Sequence, residues 1–246
     1  MTDGLLLIHA FPVDARMWEG QVRILGDRLP VVAPHLPGFG GTEGTGRDAM
    51  TMEHAAERCI EMLNGTGVER AVACGLSMGG YVAFELWRRH PDRVAGLVLA
   101  NTRAGADDDA GRERRRALAE RLRAEGNGFL VESPPPLLSE GAGEDHWATV
   151  KGWIGDQSAE AIAAASVGMA ERQDSTADLA GIDVPTLVIS SSGDTLIPPD
   201  ASRPMADALP DGRYEEIEGA GHLSNLEAPE AFDDLLEGHL KRCDLL

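Results

Sequence analysis

Positive charge is scarce in this chain. Lysine occurs only at Lys151 and Lys241, and 22 basic residues face 41 acidic ones, for a formal net charge of −19. A field of that sign repels phosphate backbones and anionic lipid, so neither nucleic acid nor an acidic membrane surface is expected as a partner. Long apolar runs are missing as well: none reaches the ~18–20 residues that cross a bilayer. Behind the acidic start Met1-Thr2-Asp3-Gly4, the run Leu5–Ile8 is too short for a signal-peptide core, and a cytoplasmic location is expected. Cysteine is rare and odd in number, at Cys59, Cys74 and Cys243, with no CxxC spacing. That excludes a disulfide framework and a cysteine zinc site as expectations. Cys74 reads as a small buried hydrophobe, whereas Cys243, in the C-terminal tail, reads as an exposed thiol. The seven histidines lack HExxH spacing, so no metal and no other cofactor is expected.

What is present is a globular composition, 43% hydrophobic and 26% charged over 246 residues. That length suits one large domain with a sizeable core. Short apolar runs alternate with helical stretches, the pattern of a mostly parallel sheet. Strands are predicted at Leu5–His9, Val31–Ala33, Ala71–Gly75, Val94–Ala100, Thr186–Ser191 and Arg213–Ile217. Helices are predicted at Met17–Leu29, from the cap Thr51 to Asn64, at Tyr81–His90, Pro199–Leu209 and Pro229–His239. Between Arg103 and Leu179 the alternation stops. That stretch carries helical patterns at Gly111–Glu125, Glu144–Gly152 and Glu160–Arg172. A structureless loop of roughly 75 residues is improbable in a compact domain. Residues 103–179 are therefore expected to form a helical cap inserted in a core of residues 1–102 and 180–246.

Gly75-Leu76-Ser77-Met78-Gly79 matches G-x-S-x-G. Taken alone the match is weak. At ordinary Gly and Ser frequencies three fixed positions coincide in about 8% of chains this long, and a plain glycine turn would look the same. Context carries the inference, because a strand precedes the motif and a helix follows it, the setting that exposes a nucleophilic serine. Ser77 needs a base. His222, in Gly219-Ala220-Gly221-His222-Leu223, follows the last strand, where α/β sheets place their chemistry. The other candidates His54, His90, His146 and His239 fall in helices or at their ends. Asp194, in the turn Gly193-Asp194-Thr195 after the strand Thr186–Ser191, is placed to orient the histidine, although Gly-Asp is also common turn chemistry. The rival position after Val94–Ala100 holds Asn101 and Thr102. Asp107, Asp108 and Asp109 read as a solvated acidic run. An oxyanion would need two donors, for which the backbone N–H groups of Met78 and Phe11 are the candidates.

These pieces together resemble the α/β-hydrolase superfamily over nearly the whole chain: His9-Ala10-Phe11-Pro12, Leu36-Pro37-Gly38-Phe39-Gly40, Gly75–Gly80, Gly193–Pro198 and Gly221-His222. The order Ser77, Asp194, His222 is the order of that superfamily. Within it the chain is similar to small capped esterases and the 3-oxoadipate enol-lactonase group. Two residues depart from the pattern. Ala10 stands where a glycine is usual, and His35 where an acidic residue usually precedes Leu-Pro-Gly. With only Met1–Gly4 before Leu5, the antiparallel hairpin common in the superfamily is not expected. The resemblance then implies an α/β-hydrolase fold of about six strands, all parallel, with helices on both faces. Val31–Ala33 would be an edge, flanked by Pro30 and Pro34 and open to cover by a second copy in a homodimer.

The expected activity is hydrolysis of a small-molecule carboxylic ester or lactone through an acyl-enzyme on Ser77. The same triad supports C–C bond hydrolysis of diketones or cofactor-free perhydrolysis, and the scaffold could serve as a ligand receptor instead. Selectivity is expected from the cap, whose large apolar candidates are Phe129, Leu137, Leu138, Trp147, Trp153, Ile162 and Met169. Trp147 and Trp153 could line the pocket or pack the cap onto the core. A dianionic enol-lactone would need a cation to offset the acidic field. Arg103 could supply it, or could be a surface arginine at the cap hinge. The Arg112–Arg116 cluster, interleaved with Glu113, reads as a solvated helix face.

Overall fold

The computed structural model describes residues 2–246. In chain order, strand β1 (Asp3–Ile8) leads through a short 3-10 segment, Ala15–Trp18, into helix α1 (Glu19–Leu25), then β2 (Val31–Val32), α2 (Met52–Thr66), β3 (Arg70–Leu76), α3 (Met78–Arg89) and β4 (Val94–Ala100). Helices α4 (Asp109–Glu125), α5 (Gly128–Glu132), α6 (Glu144–Asp156) and α7 (Ala159–Glu171) follow. The chain ends with β5 (Thr186–Ser191), α8 (Pro199–Ala208), β6 (Gly212–Ile217), α9 (Ser224–Glu227) and α10 (Pro229–Arg242). No helix among the described residues is long and apolar enough to cross a membrane.

The six strands form one sheet in the order β2-β1-β3-β4-β5-β6, and every neighbouring pair is parallel. The expectation of an all-parallel, six-stranded sheet with β2 at one edge is met. The chain steps outward from β1 to β2, then crosses back to β3. Right-handed crossovers therefore put α1 on the face opposite α2, α3 and α8. Side chains agree: α1 and its lead-in meet α10, with Trp18 against Phe232 (ring centroids 5.8 Å apart) and Gln21 Nε2 donating to Asp233 at 2.7 Å. On the other face, Arg89 of α3 pairs with Glu57 of α2. The reversal at β1 opens a crevice at the carboxyl ends of β1 and β3, the place where open α/β sheets bind ligands.

Local chemistry explains the element ends. Thr51 Oγ1 accepts from the His54 N–H to start α2, and Gly67, at φ 73°, takes the left-handed turn that stops it. Asp108 caps α4 through the Gly111 N–H, and Ser158 caps α7 through Ala161. Three predicted helices differ. The stretch Met17–Leu29 is broken into the 3-10 segment and α1, which ends at Gly26. Helix α3 starts at Met78 rather than Tyr81, because close packing of Gly79 on β1 overrides the weak helix propensity of two glycines. Helix α6 runs past Gly152 to Asp156; Asn127 Nδ2 donates to the carbonyls of Ile154 and Gln157 and so satisfies its C-terminal end.

Cys243 is a correction. It is only partly exposed, its Sγ lies 3.6 Å from His239 Nε2, and burial pushes its thiol up to about 11. It is not the fully exposed thiol that its place in the sequence suggested, and its raised pKa lowers its thiolate fraction.

Candidate active site

Three loops after strand ends and one turn before a helix converge at the carboxyl edge of the sheet. Ser77 sits between β3 and α3 with φ 57° and ψ −114°, a conformation that costs a non-glycine residue about 1–3 kcal/mol. The surroundings hold it there: its N–H donates to Ala100 O (2.9 Å), and its carbonyl accepts from the Gly80 N–H (2.9 Å) and from Thr102 Oγ1 (2.8 Å). The turn is tight enough to exclude side chains on either side. A Cβ on Gly75 would stand 2.2 Å from Gly79 O, and one on Gly79 would stand 2.1 Å from Ile8 O. Glycine at these two positions is thus a steric requirement of the turn.

Asp194 and His222 are both buried, at 3% and 2% exposure. Asp194 Oδ1 accepts from the backbone N–H groups of Leu196 (2.9 Å) and Ile197 (3.0 Å), and Oδ2 accepts from His222 Nδ1 (2.7 Å) and Asn101 Nδ2 (3.0 Å). Burial alone would raise this carboxyl. The His222 bond and charge, together with the Ile197 N–H and Asn101, outweigh burial and hold it below the usual range. Because every other partner of Asp194 is a donor, the shared proton lies on His222 Nδ1, and Nε2 is left as the basic nitrogen. Ser77, His222 and Phe11 line one cavity of about 650 Å³. Met78 opens α3, so its N–H has no carbonyl partner within the helix and adds to the positive end of the helix dipole.

The loop that carries Phe11 is fixed from behind. His9 Nδ1 meets Ala10 O at 3.0 Å, and its Nε2 accepts from the Leu36 N–H at 3.1 Å. Burial pushes His9 down to about 4, so it is neutral and works as a two-sided hydrogen-bonding strut. The His35 ring packs directly against Gly40, where any Cβ would meet Nδ1 at 2.0 Å, so residue 40 must be glycine beside this histidine.

The family profile described as "Alpha/beta hydrolase family" matches residues 5–235, nearly the whole chain. The chain belongs to that family. This hydrolase is 29% identical to a pimeloyl-[acyl-carrier protein] methyl ester esterase of Aromatoleum aromaticum, over 95% of its own length and 96% of the relative's. It is 28% identical to 3-oxoadipate enol-lactonase 1 of Acinetobacter baylyi, over 97% and 88% of the two chains. Among solved structures it is similar to a thermophilic esterase of Thermogutta terrifontis, solved with malate bound: TM-score 0.93, 38% identity, covering 99% of this chain and 90% of that one.

Of the other residues picked out in the sequence, Arg103, Phe129, Leu137 and Met169 line the cavity of the hydrolase. Leu138 and Ile162 are buried in the core. Trp147 and Trp153 are not brought to the cavity. Trp147 lines a separate depression with Glu144 and Lys151, and Trp153 packs against the core, so the packing alternative describes both.

Three features escaped the sequence. Asn101 is fully buried at φ 44°, a conformation asparagine tolerates, and bonds the outer oxygen of Asp194 while its own Oδ1 accepts from Ser224 Oγ at 2.7 Å. Its position, directly after β4 at the carboxyl edge of the sheet, was the available signal. Glu227 joins two distant segments: Oε2 accepts from the N–H groups of Ser139 (2.9 Å) and Gly221 (2.8 Å), and Oε1 from Ser139 Oγ (2.7 Å). Last, Asp107 is buried rather than solvated, and Arg103, Arg115 and Arg172 all bond to it. Arg115 lines the cavity, which corrects the reading of the whole Arg112–Arg116 cluster as a solvated face. The signal was a stripe: Gly111, Arg115, Leu118, Ala119 and Leu122 recur at helical spacing, with one arginine set among small and apolar residues. Among the described residues no group of three or more His, Cys, Asp or Glu side chains could hold a metal ion.

Proposed function

We propose that the protein hydrolyses a carboxylic ester or lactone through an acyl-enzyme on Ser77. The observation that carries the reading is that His222, hydrogen-bonded to the buried Asp194, lines the same cavity as Ser77. In this mechanism Ser77 Oγ attacks the carbonyl carbon as His222 Nε2 takes its proton. The N–H groups of Phe11 and Met78 hold the resulting oxyanion. The tetrahedral adduct collapses, the C–O bond to the alcohol breaks, and His222 returns the proton to the leaving oxygen. Water then attacks the acyl carbon with His222 again as base, which releases the acid and restores Ser77. Throughout, Asp194 keeps the imidazole in one tautomer and stabilises the imidazolium.

In the same reading, residues 103–179, which carry α4–α7 between β4 and β5, are the cap. Helices α4 and α7 pack on each other, and Arg115, Leu118 and Met169 from this pair line the cavity. The relatives named as esterase and enol-lactonase support the substrate class. The test is fluorophosphonate labelling together with turnover of short and medium p-nitrophenyl esters. Labelling at Ser77 and turnover are expected, and both should disappear in Ser77→Ala. Full esterase activity in Ser77→Ala, or tight ligand binding with negligible turnover in the unaltered protein, would overturn it.

A further inference from the structure

One buried carboxylate, behind two arginines that line the cavity, is surrounded by more positive charge than it offsets. Asp107, 6% exposed, accepts from Arg103, from Arg115 and from Arg172, whose Nη1 is 2.9 Å away. Three guanidinium groups share this one carboxylate, and Asp174 lies near enough to Arg172 to feel its charge, so at least one positive charge is left over in a chain whose net charge is −19.

The three arginines are not equivalent. Arg172 is committed to the protein: it donates to Met169 O (2.9 Å) and Gly105 O (2.8 Å), and its guanidinium lies 4.1 Å from the Tyr81 ring centroid. Its charge is enough to balance Asp107. Arg103 and Arg115 line the cavity that holds Ser77 and His222, and Arg172 does not. A merely structural clamp between the end of β4, α4 and the end of α7 would need one cation for one anion. A partly buried cation that must share its counter-charge, as Arg115 does, is costly. The surplus makes physical sense if the occupant of the cavity brings the missing negative charge. Asp107 then fixes both guanidinium groups in advance of binding.

We propose that Arg103 and Arg115 form an anion-holding subsite, and that the substrate is an ester or lactone bearing a free carboxylate remote from the scissile bond. The proposal rests on the esterase reading above and narrows its substrate class. A carboxylate on a short hydrocarbon spacer fits the rest of the wall, where Phe11, Leu118, Phe129 and Met169 are apolar. Arg121 also lines the cavity, but it pairs with Glu125 and lies over the Phe129 ring, so it is not assigned to the subsite. Glu132 is the acidic side chain on the wall, and it disfavours a second anionic group near its own end.

The test compares kcat/KM for mono-p-nitrophenyl adipate with that for p-nitrophenyl hexanoate, which match in chain length and differ in the terminal carboxylate. The unaltered protein should prefer the adipate ester by about tenfold or more, the scale of one charge-assisted hydrogen bond. In Arg103→Gln and Arg115→Gln that preference should fall about 10- to 100-fold, mainly through KM. Arg115→Lys keeps the charge and should retain most of it, which separates loss of charge from loss of folding. No preference in the unaltered protein, or a preference that both Gln variants keep, overturns the proposal. Glutarate binding, measured by titration calorimetry, decides the matter without turnover. If neither ester is hydrolysed and Ser77 is not labelled, the esterase reading fails, while glutarate binding that is lost in both Gln variants still upholds the subsite. Absence of glutarate binding overturns it, and inorganic phosphate binding more tightly than glutarate overturns its assignment to carboxylate.

Discussion

Replacing Asp194 by Asn isolates the orienting carboxylate, because the two side chains are nearly the same size. The Asn oxygen can keep the bonds from the Leu196 and Ile197 N–H groups, at 2.9 and 3.0 Å, which turns the new amide nitrogen toward His222 Nδ1 and Asn101 Nδ2. Two donors then face His222 Nδ1–H or Asn101, and His222 relieves its conflict by moving its proton to Nε2. Nε2, the nitrogen that takes the Ser77 proton in the proposed mechanism, can then no longer accept it. The expected loss in kcat is about 10,000-fold, or about 5.4 kcal/mol of transition-state stabilisation, with little change in KM. The Asn101 amide is left facing another donor, which should lower stability by about 1–3 kcal/mol. The assay is p-nitrophenyl ester turnover from pH 5 to 10, with urea unfolding on the same samples. A folded Asp194→Asn protein that retains more than a tenth of kcat would refute both the tautomer argument and the assignment of Asp194.

Two further outcomes are expected. Asn101→Ala removes one donor from Asp194 and leaves Ser224 Oγ short of its acceptor; kcat should fall about tenfold at nearly constant KM, with about 1–3 kcal/mol lost in urea unfolding, and a stability loss with unchanged kcat would reduce Asn101 to a packing role. Burial, with Arg242 nearby, pushes His239 down to about 4 from an ordinary 6.5. The unfolded chain therefore binds a proton that the folded chain refuses between those values, so stability falls as pH drops from about 6.5 to about 4, by about 1.4 kcal/mol per pH unit for such a group. His9, also pushed down to about 4, adds a slope of the same sign in that window, so His239→Gln should lower the slope by about 1.4 kcal/mol per pH unit without abolishing it, and an unchanged slope would show that His239 does not contribute.

The legibility of the fold followed burial. Strands β4 and β5 are buried along their whole length, as interior parallel strands are; β4 stands in the sequence as a run of apolar and small residues, and β5 as the apolar centre Leu187-Val188-Ile189 between Thr186 and Ser190. Helix α5, only five residues long, has too few turns to display a period, and α6 hid its last turn because the group that satisfies its end, Asn127, comes from another segment. Ser77, Asp194 and His222 could be picked out because each follows a strand and each residue type has a distinct chemical task. The Asp107 cluster was hidden for the opposite reason. Asp107, Asp108 and Asp109 are adjacent and chemically identical, yet one is buried under arginines, one caps α4 and one is solvent-exposed. The fate of Asp107 is set by Arg103 and Arg115, 4 and 8 residues away, and by Arg172, 65 residues away; the stripe on α4 marks Arg115, but no local pattern records the contact with Arg172.

The single carboxylate of Glu227 has a consequence for re-engineering the molecule. Phe11, Ser77, Asp194 and His222 follow β1, β3, β5 and β6, so the long span between β4 and β5 donates none of them. On the face of it, that span could be exchanged for another without touching the reacting atoms. Yet Ser139, in the middle of the span, shares the carboxylate of Glu227 with Gly221, the residue next to His222. A graft there that omits a donor in place of Ser139 would loosen the support of the proposed base while leaving every proposed catalytic residue unaltered. An exchange of selectivity would then look like a defect in chemistry, and the repair would lie at Glu227.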